Sequence, residues 1–174
     1  MTVGQALQEW HDLYMTAGAA AAALVGLLFV GLSLHIRVVA THSDIRALAR
    51  VTLTDFFVVL LISLVLLQPA DNSTQIGLWL IVVAGVSLLL ILRPVVLGIV
   101  SQHGRTIDPR RLAIRFGVSA LAILLIGVAG LFFATSDFRD GLDSLLPFMI
   151  MLLVIAVRNT WDLMVTVAQR SGPT

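Results

Sequence analysis

Six side chains that carry charge or form strong hydrogen bonds lie inside otherwise apolar stretches of this sequence. They are Asp55, Arg93, Arg115, Arg158, Asn159 and Asp162. A charged group at the centre of a bilayer costs about 2.5 to 3.5 kcal/mol on the insertion scale. Such groups therefore pair with one another, reach towards the headgroups, or line a path or site for an ion, a proton or an anionic lipid.

The spacing of these groups predicts one polar layer in one half of the membrane. Counted at 1.5 Å per residue, the charged ones lie roughly 5 to 12 Å past the midplane, all on the same side. Arg158 and Asp162 are four residues apart, which predicts an ion pair along one helix face beside Asn159. For Asp55, the expected partner is Arg93 or Arg158.

This predicted polar layer has two interpretations. It is either a structural network that fixes how the helices pack, or the lining of an ion, proton or anionic-lipid site. An arginine such as Arg93 or Arg115 could also extend its side chain to the headgroups, which would explain its presence in the layer without a structural or a binding role.

Other chemistry is not indicated by the sequence. The chain has no cysteine, and its four histidines lie in different segments without the spacing of a helical metal pair. No nucleophile elbow, phosphate loop or dinucleotide-binding turn is present. We therefore predict no enzymatic activity, no cofactor and no metal, and no nucleic-acid binding, because no surface domain presents a basic patch.

The elements that position the polar groups are five long apolar runs in a chain of 174 residues, 59% of them hydrophobic. The mean hydropathy is +1.01. The runs cover residues 13–36, 51–68, 76–100, 112–135 and 145–168, each close to the ~20 residues that cross a bilayer as a helix. The prediction is an all-α, polytopic transmembrane helix bundle in which residues 1–174 form one membrane domain.

Charge placement predicts the orientation of this bundle. All basic residues are arginine, and most fall at one end: Arg37, Arg46 and Arg50 in the first connection, Arg105, Arg110 and Arg111 in the third, and Arg170 after the last run. The other end has Arg139 among aspartates. The positive-inside rule then places the N-terminus outside and the C-terminus in the cytoplasm. Trp10, Tyr14 and Trp79 would lie at the outer interface.

Small residues predict where helices approach closely. Gly18, Ala22 and Gly26 recur every four residues in the first run, and Gly127 and Gly130 lie on one side of the fourth. These positions pack either inside the bundle or against a neighbouring copy.

The segment 17–34, AGAAAAALVGLLFVGLSL, is followed by a basic loop and a second run ending near Leu67, Gln68 and Pro69. Over roughly the first hundred residues this arrangement resembles a group of uncharacterised small multi-span bacterial inner-membrane proteins. Some of them are labelled modulators of a membrane-bound ATP-dependent protease. The resemblance implies a bacterial inner-membrane location and a regulatory role, and it carries no site residue.

The function predicted from these observations is that of a non-enzymatic inner-membrane protein. It self-associates or serves as a partner or regulatory subunit, surrounded by membrane lipids and with the polar layer in its cytoplasmic half. The alternative is a small oligomeric ion or proton channel, or a transporter, that uses this layer.

Overall fold

A computed structural model of the chain describes residues 3–68, 72–100, 109–135 and 138–170. The regular structure of these residues is helical throughout. The helices are α1 (Val3–Leu34), α2 (Ile36–Thr41), α3 (Ser43–Leu67), α4 (Ser73–Val100), α5 (Pro109–Thr135) and α6 (Phe138–Arg170).

Five of these helices, all except the short α2, are long and apolar enough to cross a membrane. The predicted all-α class and the five candidate spans are therefore confirmed. The helices are longer than the apolar runs, because α1 begins at Val3 and α3 begins at Ser43, well before residue 51. Asp44 in the first turn of α3 favours that earlier start, since a carboxylate is stabilised at a helix N-terminus. Arg46 and Arg50, expected in a connection, belong to α3.

Helix α3 is the central element of the bundle. It packs against α1, α4 and α6, and more briefly against α5, while α4–α5 and α5–α6 are the other main contacts. One apolar core joins all five long helices through residues such as Val58, Ile62 and Ile123. A second, around Leu28, Phe56 and Leu163, joins α1, α3 and α6. We call the end of the bundle that holds Arg46 and Arg115 the basic end.

Helices α4 and α5 approach through glycine. A Cβ at Gly77 would lie 2.5 Å from the carbonyl oxygen of Gly130, and a Cβ at Gly130 would lie 3.0 Å from that of Gly77. One heptad further along α4, a Cβ at Gly127 would lie 3.3 Å from Ala84 Cβ. The structure thus places Gly127 and Gly130 inside the bundle, where glycine, which has no side chain, lets the two backbones approach closely.

The glycines of α1 divide between two sides of that helix. Gly18 lies against Ser63 of α3, where an added Cβ would be 2.9 Å from the serine Cβ. Ala22 and Gly26 are exposed, and an added Cβ at Gly26 would meet nothing within 4 Å. Each four-residue step turns a helix by about 40°, so positions 18 and 26 differ by about 80°. For this reason the expected stripe does not lie on one contact face within the chain.

The buried side of α1 follows a seven-residue spacing instead. Tyr14, Ala21 and Leu28 are almost completely buried. Seven residues come close to two helical turns, which keeps these side chains against the neighbouring helices. The ring of Tyr14 is thus enclosed by the bundle, while its expected depth at the outer membrane interface stays a prediction. Trp79, by contrast, is 48% exposed.

Candidate functional site

Asp55 is the most enclosed of the predicted polar residues. Its side chain is fully buried on α3, and its Oδ2 accepts a 2.8 Å hydrogen bond from the Ser119 hydroxyl of α5. Its Oδ1 is also buried and has no hydrogen-bond partner. A carboxylate accepts several hydrogen bonds, so one oxygen of this residue is left available inside the bundle.

Arg115 and Asp162 form an ion pair between α5 and α6. The Arg115 guanidinium donates from Nη2 to Oδ2 of Asp162, and the two side chains are 26% and 34% exposed. Because α5 and α6 contribute one charge each, the pair fixes how these helices are aligned lengthwise.

The polar residues of α5 and α6 lie at two neighbouring levels. Arg115 and Asp162 form the level nearer the basic end. On α5, Ser119 lies about 6 Å, or one helical turn, further into the bundle than Arg115. On α6, Arg158 lies one turn further in than Asp162. Asp55 shares the inner level through its bond to Ser119.

The expected pairings within this layer are wrong. Among the described residues Asp55 bonds to Ser119 and not to Arg93 or Arg158, whose side chains are exposed. Asp162 pairs with Arg115 on the next helix and not with Arg158. A same-helix pair four residues apart contributes only about 0.2 to 0.5 kcal/mol. It is therefore easily displaced by a guanidinium that helix packing brings into contact.

A groove of about 490 Å³ separates α5 from α6 near the basic end. Its polar lining is Arg115, Arg158 and Asn159, and its apolar lining is Ile114, Val118 and Ile155. Asn159 is 3% exposed, and its buried Nδ2 has no hydrogen-bond partner. The groove therefore combines guanidinium groups with an amide donor that the fold leaves unused.

A second groove of about 500 Å³ lies between α1 and α6, away from the basic end. It is lined mainly by apolar and small side chains, including Ala17, Val59 and Met149. Asp12 and Thr16 are its polar lining residues.

Sequence reasoning missed two residues that organise the bundle, Ser119 and Gly77. Ser119 lies one turn from Arg115 in an apolar run, so the fourth run had two polar residues on one face. Gly77 lies near the start of the third run, and a single glycine there does not indicate which helix it meets. In both cases the residue's role depends on its partner on another helix, which the sequence does not identify.

No protein-family model matches the chain, and no curated protein or solved structure is similar to it.

Proposed function

We propose that the chain is a non-enzymatic membrane subunit of the bacterial inner membrane that acts by associating with other membrane helices, first of all with a second copy of itself. The observation that carries this proposal is the exposed small-residue side of α1. A regulatory role towards a membrane-bound partner, as the resemblance implies, belongs to the same proposal.

The first helix is the least enclosed of the five spans. Within its most apolar window 11% of the residues are buried in the chain, compared with 33% to 50% in the other four spans. Its open side carries small residues, Ala19, Ala22, Ala23 and Gly26. In lipid no hydrophobic force drives helices together, so small residues that permit close backbone approach favour association there.

The proposed orientation places the N-terminus outside and the C-terminus in the cytoplasm. Exposed arginines at the basic end, among them Arg37, Arg46, Arg50 and Arg110, support it. Two other arginines were expected in the third connection: Arg105 lies outside the described residues, and Arg111 belongs to α5.

The mass of the purified protein in mild detergent tests the proposal. We expect the wild-type chain to have at least twice the mass of one copy, and Gly26→Leu to shift it towards a single copy, because the larger side chain holds the helices apart. Gly85→Leu is the matched control, since Gly85 is also exposed and an added Cβ there would meet nothing within 4 Å. A single-copy mass for the wild type, with no other membrane protein attached, would contradict the proposal.

A small channel or transporter is the second candidate, and the unpartnered Oδ1 of buried Asp55 is the observation that favours it. Purified protein in sealed liposomes should then pass protons or cations, and Asp55→Asn should reduce that flux. Ser63→Ala, which removes a buried hydroxyl bonded within its own helix, is the control. Liposomes that stay tight under both signs of membrane potential would exclude this candidate.

A further inference from the structure

We propose that the groove between α5 and α6 binds the phosphate of an anionic phospholipid headgroup. The groove is bounded by Arg115, Arg158 and Asn159 on its polar side. This assignment does not depend on whether the chain associates through α1.

The charges of the groove fit a phosphate. Asp162 neutralises Arg115 through their ion pair, so the guanidinium of Arg158 is the uncompensated charge of the lining. Arginine presents a planar fork of N–H donors that matches two phosphate oxygens at once. The exposed Arg158 side chain is thus available for a ligand as the structure stands.

Asn159 adds an independent indication of a ligand. A buried amide nitrogen without an acceptor is costly, and most such groups in folded proteins are satisfied. The Nδ2 of Asn159 has no acceptor, and the residue is only 3% exposed, so water does not readily replace the missing partner. Because Asn159 lines the groove, a rotation of its side chain would bring this nitrogen to a phosphate oxygen that the neighbouring Arg158 guanidinium binds.

The depth and surroundings of the groove select a lipid as the source of the phosphate. Arg115 lies about 30 Å along α5 from Thr135, which corresponds to one boundary of a ~30 Å hydrocarbon core, and Arg158, about 6 Å further in, reaches that boundary by extending its long side chain. Large apolar side chains flank the polar lining and are exposed: Ile114 is 55%, Val154 60% and Val157 45% exposed. The groove therefore opens on a surface suited to acyl chains. Basic pockets of this kind on the cytoplasmic side hold anionic headgroups.

Trp161 agrees with this depth. Its ring is 71% exposed, and it lies on α6 within one turn of Arg158. Exposed tryptophan is favoured at the level of the headgroups.

The test measures lipid retention by the full-length protein. Purified protein is exchanged into nanodiscs that contain equal amounts of phosphatidylglycerol and phosphatidylcholine, re-extracted into mild detergent, and examined by native mass spectrometry. We expect phosphatidylglycerol to be retained about tenfold more than phosphatidylcholine, and Arg158→Gln to remove most of that preference. Arg158→Lys, which keeps the charge but loses the fork, should retain part of it.

Arg93→Gln is the matched control, because Arg93 is an exposed arginine of α4 that does not line the groove. It should leave the preference unchanged. Equal retention of the two lipids by the wild type, or equal losses in Arg158→Gln and Arg93→Gln, would overturn the proposal. Displacement of phosphatidylglycerol by millimolar inorganic phosphate would also overturn it, by assigning the groove to the free ion. The wild-type comparison does not depend on any variant being folded.

Discussion

Some polar side chains inside this bundle contact polar neighbours on other helices. Asp55 bonds to a serine of α5, and Arg115 and Asp162 join α5 to α6. The sequence identified the polar residues within the candidate spans, and their depth in the membrane stays a prediction. It did not predict their partners, because these depend on how each helix is rotated about its axis.

Replacement of Ser119 by alanine tests the hydrogen bond to Asp55. The variant leaves both oxygens of a buried carboxyl group without a partner, so we expect the free energy of unfolding to fall by about 1 to 3 kcal/mol. Denaturant-induced unfolding in mild detergent measures it. Ser33→Ala is the control, because the exposed Ser33 hydroxyl bonds only to the Phe29 carbonyl of its own helix. Equal stability of the two variants would contradict the role given to Ser119.

A pair of double-mutant cycles tests which arginine Asp162 contacts. Changing Arg115 to Met and Asp162 to Leu, singly and together, should give a coupling free energy of about 0.5 kcal/mol or more, because each single change leaves one charge without its partner. The same cycle with Arg158→Met should give a coupling smaller than about 0.5 kcal/mol. The reverse ranking would support the pair within α6 and refute the observed one.

Helix geometry explains which small residues became contacts. The glycines of the fourth run were identified from the sequence; Gly130 meets α4 at Gly77, and Gly127 meets it at Ala84. In α1, the four-residue spacing of Gly18, Ala22 and Gly26 turns away from the partner helix, whereas the seven-residue spacing of Tyr14 and Ala21 follows it. A small-residue pattern therefore predicted close approach but not which positions of the pattern face inward.

Two glycine substitutions in α4 should differ in their effect on stability. Gly77→Ala forces a methyl group into the carbonyl oxygen of Gly130, and we expect a loss of about 1 to 3 kcal/mol in unfolding free energy. Gly85→Ala meets nothing within 4 Å and should be neutral or stabilising by up to about 1 kcal/mol, since alanine favours the helix. Thermal unfolding in mild detergent compares them. If Gly77→Ala were tolerated as well as Gly85→Ala, the α4–α5 contact would be incorrect.

The bundle as a whole is asymmetric in charge and in enclosure. Five apolar helices and their order were predictable, because hydropathy and helix length reveal spans directly. The extensions of α1 and α3 beyond the apolar runs were not, because polar residues continue a helix outside the hydrocarbon without a hydropathy signal. The exposed side of α1 was also not predictable from the sequence, because it depends on which helices surround α3.

Membrane orientation is testable with single cysteines, since the natural chain has none. A cysteine replacing Thr74, at the start of α4, should react with an impermeant thiol reagent added to intact cells. One replacing Ser43, at the start of α3, should react only after the membrane is opened. Both native side chains are exposed. The opposite labelling would invert the proposed orientation while leaving the fold unaffected.

Association of two copies through α1 can be tested in the membrane itself by cysteine cross-linking. Gly26→Cys and Gly85→Cys introduce a thiol at two exposed positions, on α1 and α4, without a steric conflict inside the chain. In liposomes containing only the purified protein, a short thiol-reactive cross-linker should convert Gly26→Cys to a species of twice the mass and leave Gly85→Cys as single copies. Equal yields from the two variants, or no cross-linking at Gly26→Cys, would contradict the account.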